Sequence, residues 1–215
     1  MVWRVFVEKK APFAAEASAM AEELRGLYHL SGVERVRIVN RYDVEGIGAE
    51  LMERACAAVF SEPQIDDVSS AVDTSGAALV FAVEYLPGQF DQRADSAAQC
   101  IQMLSAGERP TVVTAKVYVI YGTLGEGDAE KIRESVINPV ECRLASLDKP
   151  ETLAVTAQTP PDVPVLDGFT GLDEAGLRAL LTEYGLAMDV DDLLCLREYF
   201  RGEGRQPTVT ELRLV

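Results

Sequence analysis

The chain has 215 residues, a formal net charge of −15, 48% hydrophobic residues and 26% charged residues. This supply of apolar side chains is enough for a packed core and excludes wholesale disorder, while the acidic balance excludes phosphate backbones and anionic lipid as natural partners. No apolar run approaches the length of a bilayer span and Arg4, Glu8, Lys9 and Lys10 interrupt the short apolar start, so neither a membrane segment nor a signal peptide is expected and a cytoplasmic location is.

Taken in order, the first predicted element is a strand over Val5 to Glu8. Ala17, Met20, Ala21, Leu24 and Leu27 then lie at i, i+3, i+4, i+7 and i+10, one face of an amphipathic helix. Val36, Ile38 and Tyr42 alternate with Arg35, Arg37 and Arg41, the period of a half-buried strand. Met52, Ala55, Val59 and Phe60 form the stripe of a second helix, ended by Pro63.

The pattern then starts again. Phe81 to Glu84 reads as a strand that ends in Val-Glu, like Val5 to Glu8. Ala94, Ala97, Ala98, Ile101 and Leu104 repeat the first helical stripe, each 77 positions after its counterpart, and Phe90 stands at the same offset from Phe13. Ala115, Val117, Val119 and Tyr121 alternate with Thr114, Lys116 and Tyr118. Ala129, Ile132, Val136 and Ile137 form a further helix before Pro139.

The expected fold class is therefore α+β: a tandem pseudo-twofold repeat of a strand-helix-strand-helix-strand unit, with halves at 1–74 and 75–148. Each unit would carry both helices on one face of a sheet. A unit this small buries little surface alone, so the halves should combine, with their sheets either paired or packed face to face.

Residues 149–169 hold Pro150, Pro160, Pro161 and Pro164 and read as an extended linker, with Val163, Val165 and Leu166 lying against another surface. Residues 170–215 read as a small helical domain. Asp173 caps a helix carrying Leu177, Leu180, Leu181 and Tyr184, stopped by Gly185. Asp189 caps a second carrying Leu193, Leu194, Leu196, Tyr199 and Phe200, stopped by Gly202, with Asp191 and Asp192 favoured in its first turn by the helix dipole. Thr208-x-x-Glu211 is a capping box that opens a third helix. Only four residues follow it, which leads to the expectation that the chain is a fragment truncated within this domain.

No residue set announces catalysis. The single histidine, His29, falls at a helix end, where it can cap carbonyls; this structural use is favoured, and no plausible Ser-His-Asp or Cys-His arrangement is read. Cys56, Cys100, Cys142 and Cys195 form no CxxC pair and read as reduced core residues. Gly122, Gly125 and Gly127 lack the spacing of a phosphate-binding loop, and Glu126 and Asp128 would repel phosphate there. No catalytic, cofactor-binding or metal residue is assigned. Arg35, Arg37 and Arg41, on one strand face, suit a solvated surface, an anion or an acidic neighbour. Arg201 and Arg205 are the stronger candidates for contacts between domains.

Several segments carry a resemblance. Asn40-Arg41-Tyr42-Asp43-Val44-Glu45-Gly46, Phe60-Ser61-Glu62-Pro63 and Ile137-Asn138-Pro139-Val140-Glu141 resemble the strand-to-helix turn and helix ends of the PurS-type subunit of formylglycinamide ribonucleotide amidotransferase. In large single-chain enzymes that subunit is duplicated and fused at the N-terminus. Asp191-Asp192-Leu193, Tyr199-Phe200-Arg201, Gly204-Arg205-Gln206-Pro207-Thr208 and Thr210-Glu211-Leu212 resemble the family's linker domain, which leads there into a Trp-Ser-Asp-His-Cys segment not present here. The resemblance covers essentially the whole chain.

It implies a part of an ATP-dependent carbon–nitrogen ligase of purine biosynthesis with glutamine as amido donor, phosphoribosylformylglycinamidine synthase. ATP and magnesium would belong to the full enzyme and no cofactor to this part. The part would be inactive alone and would organise the synthetase and glutaminase domains of the same chain, through Arg201 and Arg205 and the face of Arg35, Arg37 and Arg41. Self-association of the isolated piece stays open. Two other readings compete. One is a stand-alone tandem ferredoxin-like regulatory module that binds a small molecule; the other is a separate subunit bridging a synthetase and a glutaminase.

Overall fold

The computed structural model describes residues 1–107, 109–154 and 159–215. The chain divides into two compact units, Met1–Val155 and Thr156–Val215. Residues 155–158 of the expected linker lie outside the described residues.

The first unit is α+β. Its elements are β1 (Val2–Lys9), α1 (Ala15–Gly26), β2 (Val33–Glu45), α2 (Ala49–Ala55, continued by a π-helical turn over Cys56–Phe60), β3 (Asp66–Ser69), β4 (Leu79–Tyr85), α3 (Gln92–Ser105), β5 (Thr111–Gly122), α4 (Asp128–Val136) and β6 (Cys142–Ala145). The strands form one antiparallel sheet in the order β3-β1-β2-β5-β4-β6. The long strands β2 and β5 make the central pair, from Val33 opposite Gly122 to Glu45 opposite Thr111. Segments 1–74 and 75–148 therefore contribute strands to one sheet, the paired arrangement of the two left open by the sequence.

Alternation along the strands assigns side chains to faces. On one face α1 contributes Ala17, Ala21 and Leu24 to a cluster with Val36 and Ile38 of β2, Tyr118 and Ile120 of β5, Phe81 of β4 and Ile132 of α4. Toward the other end, Ala97 and Ile101 of α3 join Val5 and Val7 of β1, Tyr42 and Val44 of β2, and Met52 and Ala55 of α2. Helix α1 thus reaches strands of the second half and α3 reaches strands of the first. A side chain such as Ile101, fully buried, contributes about 1.5–3 kcal/mol by leaving water.

The opposite face is also covered. Val39, Ala82, Val117 and Val119 are buried there beneath Val72 and Ala77, which lie in the connection between β3 and β4. The chain after β6 contributes as well: Ser146, Leu147 and Asp148 offer carbonyls to arginines on this face. Leu153 is buried, and its N–H donates to Glu45, whose carboxyl this hydrogen bond holds below its ordinary pKa. The start of the expected linker is therefore a packed strap of the first unit.

The second unit holds α5 (Glu174–Tyr184), α6 (Val190–Glu203) and α7 (Val209–Leu214) around Phe169, Leu177, Leu180, Leu193, Phe200 and Leu212. Asp173 caps α5 through Gly176 N at 2.8 Å. Asp189 and Asp192 form a capping box on α6, so Asp192 does more than meet the dipole: it accepts from Asp189 N at 3.1 Å. α6 runs past Gly202 and stops at Gly204, whose left-handed φ of 66° lets the last turn close. The expected box on α7 is present, with Glu211 accepting from Thr208 N at 2.8 Å and Thr208 Oγ1 accepting from Glu211 N at 3.2 Å. The Arg205 guanidinium and these Thr208 contacts hold the Glu211 carboxyl down to about 2. Val165 bridges to Thr208 and Leu166 N donates to Pro207 O at 2.8 Å, so the backbone of this stretch is tied to its own unit, while the Val163 and Val165 side chains stay exposed.

Candidate functional site

The three strand arginines sit on the covered face and differ in fate. Arg35 lies 4.0 Å above the ring of Tyr121, a cation–π contact. Arg37 donates bidentately to Glu8 at 2.8 and 2.6 Å and reaches Asp73 O and Tyr121 Oη. The bond to Glu8 outweighs burial and raises its pKa. Arg41 is 3% exposed, although alternation alone would have left it on a solvated face. The strap after β6 closes over it and Ser146 O accepts from its Nη1 at 2.6 Å.

Arg41 belongs to a buried charge cluster. Asp43 binds Arg4 through Nε at 2.6 Å and Nη2 at 2.8 Å. Arg41 Nε lies 3.3 Å from the same carboxylate but off hydrogen-bonding geometry, and it has no hydrogen-bond partner among the described residues. Glu84 stands 3.9 Å from Arg41 Nη2 and is itself held by Arg143 at 2.9 Å. Burial and the neighbouring Arg4 lower the Arg41 pKa against the pull of Asp43. A cavity of about 440 Å³ borders this cluster where β4 leaves β5. The four innermost groups, Arg4, Arg41, Asp43 and Glu84, balance in charge, so the cluster serves stability first.

A larger opening, about 590 Å³, lies on the helix face over the centre of the sheet. The clusters built on α1 and on α3 occupy its two ends and leave the middle rows of β2 and β5 unfilled. Cross-strand neighbours Asn40 and Lys116, and Tyr42 and Thr114, form its floor. Arg93 and Ser96 of α3 stand on its wall. Asn40 Oδ1 is buried and receives no hydrogen bond from the described residues. Arg93 donates to Tyr42 Oη at 3.1 Å. Burial opposes its charge, but that bond and the carboxylates of Glu16 and Asp91 raise its pKa overall. Lys116 pairs with Glu16 at 2.5 Å. Burial pushes the Tyr118 hydroxyl up to about 12, so it remains a hydrogen-bond donor at neutral pH.

In the second unit Arg201 donates to Thr170 O at 2.7 Å and Glu198 at 2.6 Å. Arg205 holds Glu211 at 2.7 Å and lies 4.9 Å from the Phe200 ring centre. Both keep an exposed surface; Arg201 ties the last turn of α6 to Thr170, and Arg205 ties the following turn to α7. His29 closes α1 with its backbone, at φ 57°, and Leu30 N donates to Leu24 O across it. Gly127 takes φ 80° as the cap residue of α4, and Asp128 accepts from Gly125 N at 2.8 Å, which makes the glycine-rich stretch a turn. The cysteines depart from expectation: Cys56 and Cys142 are half-buried, Cys195 is exposed, and Cys100 is exposed at the edge of the opening over the sheet. Among the described residues no group of three His, Cys, Asp or Glu is placed to hold a metal, and no helix is long and apolar enough to cross a membrane.

The sequence singled out Arg35, Arg37 and Arg41 but missed the opening on the other face. Asn40 and Tyr42 alternate with those arginines, which was its only sequence signal. No protein-family model matches the chain, and no curated protein matches it.

Proposed function

We propose that this chain is the non-catalytic N-terminal part of a large-type formylglycinamide ribonucleotide amidotransferase, in which a duplicated PurS-like unit and a helical linker domain organise the synthetase and glutaminase domains. The observation that carries the reading is the arrangement about the β2–β5 pair. Outward from it, β1 stands where β4 stands on the other side, and β3 where β6 stands. The helical stripes 77 residues apart fall on α1 and α3, and each of these helices reaches the strands of the other half. A fused pair of similar units accounts for this reciprocal packing, because each supplies what the other lacks.

In the full enzyme, glutamine would be hydrolysed in one domain and its ammonia used in another, where ATP and magnesium activate the amide of formylglycinamide ribonucleotide to give the amidine. Arg201, exposed in the last turn of α6, and Arg205, exposed just after it, are the proposed contacts to the synthetase domain. Deleting residues 1–148 from the natural protein tests the reading in cells. The expected result is a strain that needs an added purine base and is restored by the intact sequence. Purine-independent growth of the deletion strain, at the parental rate, would contradict it.

A further inference from the structure

The opening on the helix face is built like a ligand site, and its groups select a ligand class. Its volume, about 590 Å³, falls within the roughly 300–1,000 Å³ of small-molecule sites. Arg93 has one neutral partner, Tyr42, and no carboxylate within ion-pair distance among the described residues. The rest of its guanidinium fork is available to an anion, and a carboxylate fits that fork in two parallel bonds. On the floor, Asn40 Oδ1 is a buried acceptor without a donor, an arrangement that costs about 1–3 kcal/mol unless something fills it. A ligand that offers both an anionic oxygen pair and an N–H or O–H donor would satisfy both groups. Val59, Val83 and Val136 add apolar wall on either side.

Charge narrows the class further. Lys116 is already neutralised by Glu16, so Arg93 is the one cation of the opening without an acidic partner among the described residues. The chain carries −15 overall, a field that disfavours phosphate esters and other dianions but leaves a zwitterion unaffected.

We propose that this opening binds a free amino acid with an apolar side chain, its carboxylate on Arg93, its ammonium on Asn40 Oδ1 and its side chain against the valines. The floor residues come from β2 and β5, one from each half, and the site is formed by their pairing. The inference stands independently of the purine reading, since it rests only on this unit's own groups.

Thermal shift across the standard L-amino acids at millimolar concentration, followed by calorimetry, tests it on the full chain. The expected result is one-to-one binding of at least one apolar amino acid. Arg93→Gln, at an exposed helical position, is expected to weaken that binding about 10- to 100-fold, the cost of a lost charge-assisted contact. Ser96→Trp, exposed on the wall, is expected to abolish it by filling the opening, while the free chain still unfolds in one cooperative transition. Three results would overturn the proposal: no binding by any apolar amino acid, binding indifferent to both variants, or sodium phosphate and acetate binding as tightly as the amino acid.

Discussion

Replacing Asp43 with alanine is expected to destabilise the first unit by about 3–5 kcal/mol, the cost of breaking a buried ion pair from one side. Asp43 is 1% exposed and is the carboxylate on which both Arg4 and Arg41 converge. Without it, two guanidiniums are left in a buried site that already lowers the Arg41 pKa, and arginine does not relieve the strain by losing its proton. Glu84, at 3.9 Å from Arg41, is too distant to replace the lost bonds. In thermal unfolding the loss should appear as a drop of about 6–20 °C, at about 2–4 °C per kcal/mol for a chain of this size. Arg143→Ala, at the half-exposed rim of the same cluster, should cost less than about 1 kcal/mol. An Asp43→Ala protein that melts within a degree or two of the parent would show that the cluster is not the buried network described.

The second large effect is expected at Gly122. Its φ is 127°, and a Cβ there would lie 2.0 Å from Gly32 O and 2.8 Å from Glu34 N, all backbone atoms that cannot swing aside. Gly32 meets the same constraint in return, with Thr123 O at 2.0 Å from its own would-be Cβ. The two glycines let β2 and β5 close together next to the register shift between Val33 and Arg35. Gly122→Val combines backbone strain of about 1–3 kcal/mol with a comparable overpacking cost, a total on the order of 4 kcal/mol. Chemical denaturation should show a large fall in midpoint. Gly26→Ala, a helical position with open space around it, should leave stability equal or slightly raised. Equal midpoints for Gly122→Val and the parent would contradict the close approach.

Much of the fold was readable because local periodicity encodes it. Ala94, Ala97, Ala98 and Ile101 are all buried at the positions their spacing marks. The same rule misplaced Leu27, which is 68% exposed, because α1 ends at Gly26 and the stripe leaves the helix there. Phe13 and Phe90 match in sequence yet are both exposed, so their correspondence does not arise from core packing. What periodicity does not encode is which strands become neighbours. The β2–β5 pairing joins segments about 80 residues apart, and alternation looks the same for side-by-side and stacked sheets. The burial of Arg41 depends on Ser146, 105 positions away. The ligand opening depends on a gap between two helix pairs, which leaves no mark on any single segment.

We propose that this chain couples an ammonia-producing site to an ammonia-using one. The most direct measurement adds the purified chain to the synthetase and glutaminase parts from the same source and follows amidine formation from formylglycinamide ribonucleotide and ATP, with glutamine as nitrogen donor. The predicted result is a glutamine-driven rate that rises with added chain and saturates. A glutamine-driven rate that does not change when the chain is added would contradict the claim.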